Sequence, residues 1–291
     1  MRRLHSSFRE EFRLNTLPKL DQFVCLQLTG RDSLDFAQRL FTRDMKRMQT
    51  GEARLSLFLS AEAKPIGLFW LYQKTKEDLG LVLRAQEAPL LREKLELFHF
   101  QEDIQFTEFP AFALWEASET MPPEESGRGQ LVENALQCQW RSTRFEFRLN
   151  HEAKAPEQDR AWELHRIRSL IPRWGDDYDD QTLVLKLGFL ELCDDNKGCY
   201  AGQEVIERVR TRGGRAPEVL ASFESKAELQ REMKFLNQDQ QPAGRLSKSL
   251  CSENRQYFAL GFLKTSQLEN SRFFLESGES LQLLRHAELR Q

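Results

Sequence analysis

The stretch DDNKGCYAGQEV, residues 194–205, gathers side chains that can do chemistry. It holds two acids, Lys197, Cys199 between Gly198 and Tyr200, and then Gly202, Gln203 and Glu204. From 201 to 212 the spacing of Val205, Ile206 and Val209 predicts a helix, stopped by Gly213 and Gly214. Cys199 then stands just ahead of a helix N-terminus, with Lys197 close by. Free helix N–H groups and an ammonium both favour a thiolate over a thiol. Gly198 and Gly202 leave the backbone bare enough for a ligand to approach. Three roles fit Cys199: a nucleophile, a metal or redox ligand, or a small core residue. Cys193 can pair with it in a transient disulfide or a two-thiolate clip for iron, or simply fill the core. Arg208, Arg210, Arg212 and Arg215 follow as a basic strip against Glu204 and Glu207. Such a strip suits a polyanionic tail, a phosphate or an acidic partner, and equally a solvated helix face.

The elements that position this stretch are readable in outline. Residues 23–28 predict a strand, broken at Gly30. A helix follows, with Asp32 as N-cap, Asp35 as capping partner, and Leu34, Ala37, Leu40 and Phe41 at helical spacing. Leu55, Leu57 and Leu59 alternate with smaller or polar residues. Pro65 and Gly67 punctuate the next run, and a polar turn at 74–78 leads to a strand at 79–83. A helix over 88–100 presents Leu91, Leu95 and Phe98, and strands are predicted at 104–109 and 145–149. Residues 121–130 read as a loop, 157–175 as a helix ended by Pro172 and Gly175, and 176–189 as mostly loop. After Gly214, short strand-like runs at even spacing predict a small β-barrel. The expectation is an α+β fold: an N-terminal α+β domain over 1–120, a middle α+β segment over 121–214 ending in the signature helix, and a barrel over 215–291.

Composition narrows the function class. The chain has 291 residues, 40% of them hydrophobic and 30% charged, and a formal net charge of -3. That charge supplies no global attraction for nucleic acid, so direct binding to it is not expected. The five cysteines are scattered without a CxxC, and the five histidines form no paired pattern, so no metal site is expected. No apolar run approaches the roughly 18 residues of a membrane span. The N-terminus lacks an apolar secretory core, and a cytoplasmic location is expected.

Lys197-Gly198-Cys199-Tyr200, then Gly202-Gln203-Glu204, and Arg208 beyond, resembles the K-G-C-Y-x-G-Q-E signature of the YgfZ family. The likeness continues in LTGRDSLDFAQRLFTRDM, where Thr42 and Asp44 match a T-x-D ending. It also covers LSAEAKPIGLFWLY, IPRWG, PAGRLSKS and ALGFLKT, and so spans about residues 20–270. The resemblance implies a ring of antiparallel-sheet and helix domains plus a C-terminal barrel around a central cavity, similar in fold to the glycine-cleavage aminomethyltransferase (T-protein). It implies a folate-binding accessory factor in iron–sulfur cluster assembly or repair, linked to tRNA modification. Its partners would be cluster proteins or their assembly machinery, and its cofactor tetrahydrofolate. On this reading Cys199 is the reactive thiolate near the cavity and Lys197 raises its thiolate fraction. Tyr200, Gln203 and Glu204 shape the wall, Arg208 anchors an anion, and Arg168 and Trp174 face the cofactor.

Two departures bear on folate chemistry. Gly67 and Leu68 stand where the T-protein places an acid pair, and there is no carboxylate from 63 to 76. Without that carboxylate, a folate-dependent aminomethyl transferase is the alternative rather than the leading expectation. Arg168 stands where both relatives carry a glutamate against the pterin. A guanidinium only donates hydrogen bonds, so it reverses the polarity of that contact. Either folate binds differently, through its glutamate tail for instance, or it has been lost.

Overall fold

The computed structural model describes residues 19–118, 126–150, 160–212 and 216–287. Met121 to Glu125 of the expected loop, the first residues of the helix expected from Glu157, the Gly213–Gly214 stop and the boundary at Arg215 lie outside the described residues.

Eight strands close the first barrel: β1 (Lys19–Thr29), β2 (Glu52–Leu59), β3 (Pro65–Thr75), β4 (Asp78–Arg84), β5 (Gln105–Ala117), β6 (Arg128–Val132), β7 (Ala135–Trp140) and β8 (Thr143–Leu149). They are ordered β1-β4-β3-β2-β6-β7-β8-β5, and β5 pairs back onto β1. Strands on either side of residue 120 thus belong to one barrel. Strands β6 and β7, unread in the sequence, complete the ring through the β2–β6 pairing of Ala53 with Gly129. A Cβ at Gly129 would lie 2.5 Å from the Gln137 carbonyl oxygen, so the residue that weakens the strand pattern is the one that permits this close pairing.

In β1–β4 successive side chains serve two cores. Cys25, Leu55, Leu57, Trp70 and Val82 face one. Leu26, Phe58, Phe69, Leu71 and Leu81 face the other, which is covered by helices α1 (Ser33–Leu40) and α2 (Ala88–Leu97). Burial on both faces explains why these strands read as near-continuous apolar runs. Asp32 precedes α1 as expected, but its side chain makes no cap. Its carboxylate accepts the Asp103 N–H at 2.8 Å instead.

The second barrel closes through β9 (Glu218–Ser225), β10 (Lys234–Leu236), β11 (Pro242–Glu253), β12 (Gln256–Lys264), β13 (Arg272–Leu275) and β14 (Ser280–His286), in the order β10-β11-β12-β9-β14-β13. Phe223, Phe235 and Phe273 fill it, while Leu220, Phe258, Leu260 and Phe262 pack outward onto the first core. Helix α3 (Arg160–Arg168), two 3-10 turns (Val184–Leu187 and Phe189–Leu192) and helix α4 (Gln203–Arg212) lie between the two barrels in the chain. Among the described residues no helix is long and apolar enough to cross a membrane.

Candidate functional site

The signature loop leaves the second 3-10 turn and is tied at once to the segment between α1 and β2. Asp194 accepts the Asp44 N–H at 2.8 Å and pairs with Arg43 at 2.7 Å. Its own N–H donates to the Thr42 carbonyl, and the Thr42 hydroxyl donates to the Leu192 carbonyl at 2.7 Å. Burial pushes the Asp194 carboxyl up, but Arg43, the Asp44 N–H and Arg54 outweigh it and hold the group below the usual carboxylate range. Thr42 and Asp44, about 150 residues earlier, therefore form the seat of the signature.

Lys197 is buried against α1. Its Nζ donates to the Gln38 carbonyl at 2.6 Å and lies 4.9 Å from the centre of the Tyr200 ring. Gln38 returns the contact, donating from Nε2 to the Lys197 carbonyl at 2.6 Å. Burial lowers the Lys197 pKa to about 8, although Asp44, Asp194, Cys193 and Cys199 all pull the other way. Tyr200 is buried with its hydroxyl toward Cys193, and burial raises both groups, the Cys193 thiol to about 12. Between these anchors Gly198 and Cys199 are exposed. Cys25, Cys138 and Cys193 are buried and Cys251 is half-buried, so Cys199 is the exposed thiol of the described residues.

Helix α4 opens at Gln203, two residues later than the spacing suggests, because 201–202 form a turn. Gln203 is half-buried in the first turn. Glu204 and Arg208 pair with each other at 2.6 Å on the exposed face. Arg210 turns inward instead and ties the loop, donating to the Cys193 carbonyl at 2.5 Å and pairing with Asp195 and with Glu207 at 2.9 Å. The strip is therefore split. Arg215 and the Arg212 side chain lie outside the described residues.

The first barrel holds a cavity enclosing about 60 Å³, walled by Phe23, Trp70, Trp140, Phe145, Phe147 and Trp162. Leu68, Ile171, Pro172 and Tyr178 also line it, but Cys199 does not. The signature loop docks on α1 and the β2–β3 turn, which directs the thiol to solvent. Lys197, Cys199 and Tyr200 come together. Arg168 and Trp174 do not join them. Arg168 is exposed and stacks 4.4 Å from the Phe258 ring of β12, so its guanidinium sits against the second barrel and does not set the polarity of the cavity. Trp174 is half-buried, edge-on to Tyr178 at 5.4 Å.

The charged groups of the cavity are Arg84 and Glu87, neither singled out by the sequence. Glu87 occupies the N-cap position of α2 but makes no cap bond. Its side chain is buried, and Oε2 has no hydrogen-bond partner. An acid before Ala-Pro reads as a helix-start residue, and nothing local distinguishes it from one turned inward. Burial pushes the Glu87 carboxyl up from 4.5 to about 7, against the pull of Arg84. Between those values the folded protein keeps a proton that the unfolded chain has released, so this group's contribution to stability falls as pH rises through the window. Glu87→Gln cannot titrate. Relative to the parent it is expected to gain about 2–3 kcal/mol between about pH 5 and about pH 8.5, measured by urea denaturation at both values.

Two closed antiparallel barrels, with α3 packed between them, define the class of fold: that of the aminomethyltransferase T proteins. The crystal structure of glycine cleavage system aminomethyltransferase T from Bartonella henselae superposes with a TM-score of 0.71 at 13% sequence identity, over 92% of this chain and 84% of that one. No protein-family model matches the sequence, and no curated protein matches it.

Proposed function

We propose that the chain is a YgfZ-like accessory factor in the cytoplasm, which assembles or maintains iron–sulfur clusters through the Cys199 thiol and by that route supports tRNA modification. The observation that carries this reading is an exposed thiol on an otherwise anchored loop, beside the buried ammonium of Lys197. As a thiolate, Cys199 can ligate iron or attack a disulfide that a partner brings, breaking its S–S bond and releasing one of its sulfurs as a thiolate. Cys193 is a poor resolving thiol, since burial keeps it protonated. The exchange is therefore with a group the partner brings, from a cluster protein or its assembly machinery. Lys197 supplies the positive charge of the loop, and Gln38 and Arg210 hold its backbone in place.

A folate-binding role fits the T-protein-like fold. Sites for ligands of that size, however, enclose about 300–1,000 Å³, well above what the barrel cavity offers. In this reading tetrahydrofolate is held outside that cavity, through its glutamate tail, and takes no part in the thiol step. Aminomethyl transfer is also disfavoured. Gly67 lies under Leu91, and Leu68 presents a hydrocarbon to the cavity where the T-protein resemblance calls for acid.

The test is complementation in a strain lacking the gene, read by the activity of cluster-dependent enzymes. Cys199→Ser is expected to lose rescue, while Cys251→Ser, on β11, retains it. Full rescue by Cys199→Ser would end the role given to the thiol.

A further inference from the structure

Arg84 and Glu87 present an unusual pair of unmet needs. Burial lowers the Arg84 pKa to about 10, with Arg173 adding to the effect. Its guanidinium lies 5.5 Å from the centre of the Phe23 ring and forms no hydrogen bond or ion pair among the described residues. Glu87 is only 4% exposed, and its Oε2 has no partner. Both side chains line the same cavity, otherwise walled by aromatic and aliphatic side chains, yet they do not bond each other. Arg84 is half-buried, and the Glu87 oxygen is a buried acceptor whose missing partner costs free energy, more so when charged. The space is small. At about 10–15 Å³ per water-sized occupant, a 60 Å³ cavity takes roughly five non-hydrogen atoms.

We propose that this cavity binds a small zwitterion of the amino-acid class, with its carboxylate on Arg84 and its ammonium on Glu87. A ligand with only a carboxylate would leave Glu87 facing a like charge, and one with only an ammonium would face Arg84 in the same way. A molecule carrying both charges meets both needs, and mismatched ligands are rejected by repulsion as well as by lost bonds. The aromatic walls leave no room for a long side chain, which limits the ligand to about the size of glycine. The site is separate from Cys199 and does not depend on the role given to that thiol.

The experiment is isothermal titration of the full chain with glycine, acetate, methylammonium and tetrahydrofolate. Saturable glycine binding is expected, with acetate and methylammonium about tenfold to a hundredfold weaker, since each lacks one charged hydrogen-bonding partner. Arg84→Met and Glu87→Gln should each abolish the glycine signal. Glu87→Gln is the safer variant, because it removes a buried charge and is expected to fold. No glycine binding by the parent at about 50 mM would overturn the assignment, as would binding unchanged in Glu87→Gln. Tetrahydrofolate binding that disappears in Arg84→Met would also overturn it, because the cavity would then open to a pteridine.

Discussion

Replacing Arg166 with methionine is expected to lower the unfolding free energy by about 3–5 kcal/mol, because it breaks a buried ion pair and leaves charge behind. Arg166 is only 1% exposed, on a helix where charged and apolar residues are interleaved. Its guanidinium donates to Glu163 at 2.9 and 2.7 Å, to Asp177 at 3.1 Å and to the Ser249 hydroxyl at 2.8 Å. Asp177 is also buried, and accepts the Arg173 N–H at 2.8 Å and the Ser247 hydroxyl at 2.5 Å. Ser247 and Ser249 lie on β11, so this network is the polar joint between α3 and the second barrel. Methionine keeps much of the volume but leaves the Asp177 carboxylate without its cation. Urea denaturation followed by circular dichroism measures the loss. The double variant Arg166→Met/Asp177→Asn should recover part of it, since the stranded charge is gone. A single variant within about 1 kcal/mol of the parent would mean that water or Arg173 replaces the lost partner.

The same joint shows why part of the molecule is legible in sequence and part is not. Helix α1 declares itself because Leu34, Ala37, Leu40 and Phe41 recur at helical spacing over an apolar core. The run after residue 216 declares itself as a barrel because its strands alternate and its turns are polar. Helix α3 buries Trp162, Leu164 and Ile167 on one side but Arg166 on another, against serines and an aspartate. The family resemblance points to Arg168, while the charge that matters for packing is two residues earlier, at Arg166. Strands β6 and β7 escape notice for a related reason. Gly129, Gln137 and Gln139 weaken the alternation, and closure of the ring by partners far along the chain supplies the stability that local propensity lacks. The signature loop is the opposite case. Its residue types alone identify it, but its seat on Thr42, Asp44 and Gln38 depends on contacts across about 150 residues that no local spacing encodes.

Gly202→Val tests whether that seat governs the thiol. Gly202 is buried and has φ +80, a conformation that costs other residues about 1–2 kcal/mol. A Cβ there would stand 2.7 Å from the Ser60 carbonyl oxygen and 2.9 Å from Ala63 Cα. Neither neighbour can yield easily. The Ser60 N–H donates to the Lys64 carbonyl at 2.9 Å, the Ala63 N–H donates to Ser60 at 3.0 Å, and the Ala63 carbonyl accepts from Val184 at 3.0 Å. Overpacking of this kind adds about 1–3 kcal/mol, so a total loss of roughly 2–5 kcal/mol is expected. Gly198→Ala is the contrasting variant. Gly198 has φ +95 but nothing within 4 Å of its Cβ position, so only the backbone cost applies there. The consequence for function follows from chain connectivity. If Gly202 lifts off the turn, the start of α4 moves, and Cys199 moves away from the Lys197 ammonium that Gln38 holds in place. Gly202→Val should therefore change the rate of Cys199 alkylation by iodoacetamide in protein that is still folded, below its unfolding transition, and Gly198→Ala should change it less. Parent-like stability together with a parent-like alkylation rate in Gly202→Val would show that the contact with the β2–β3 turn does not position the thiol.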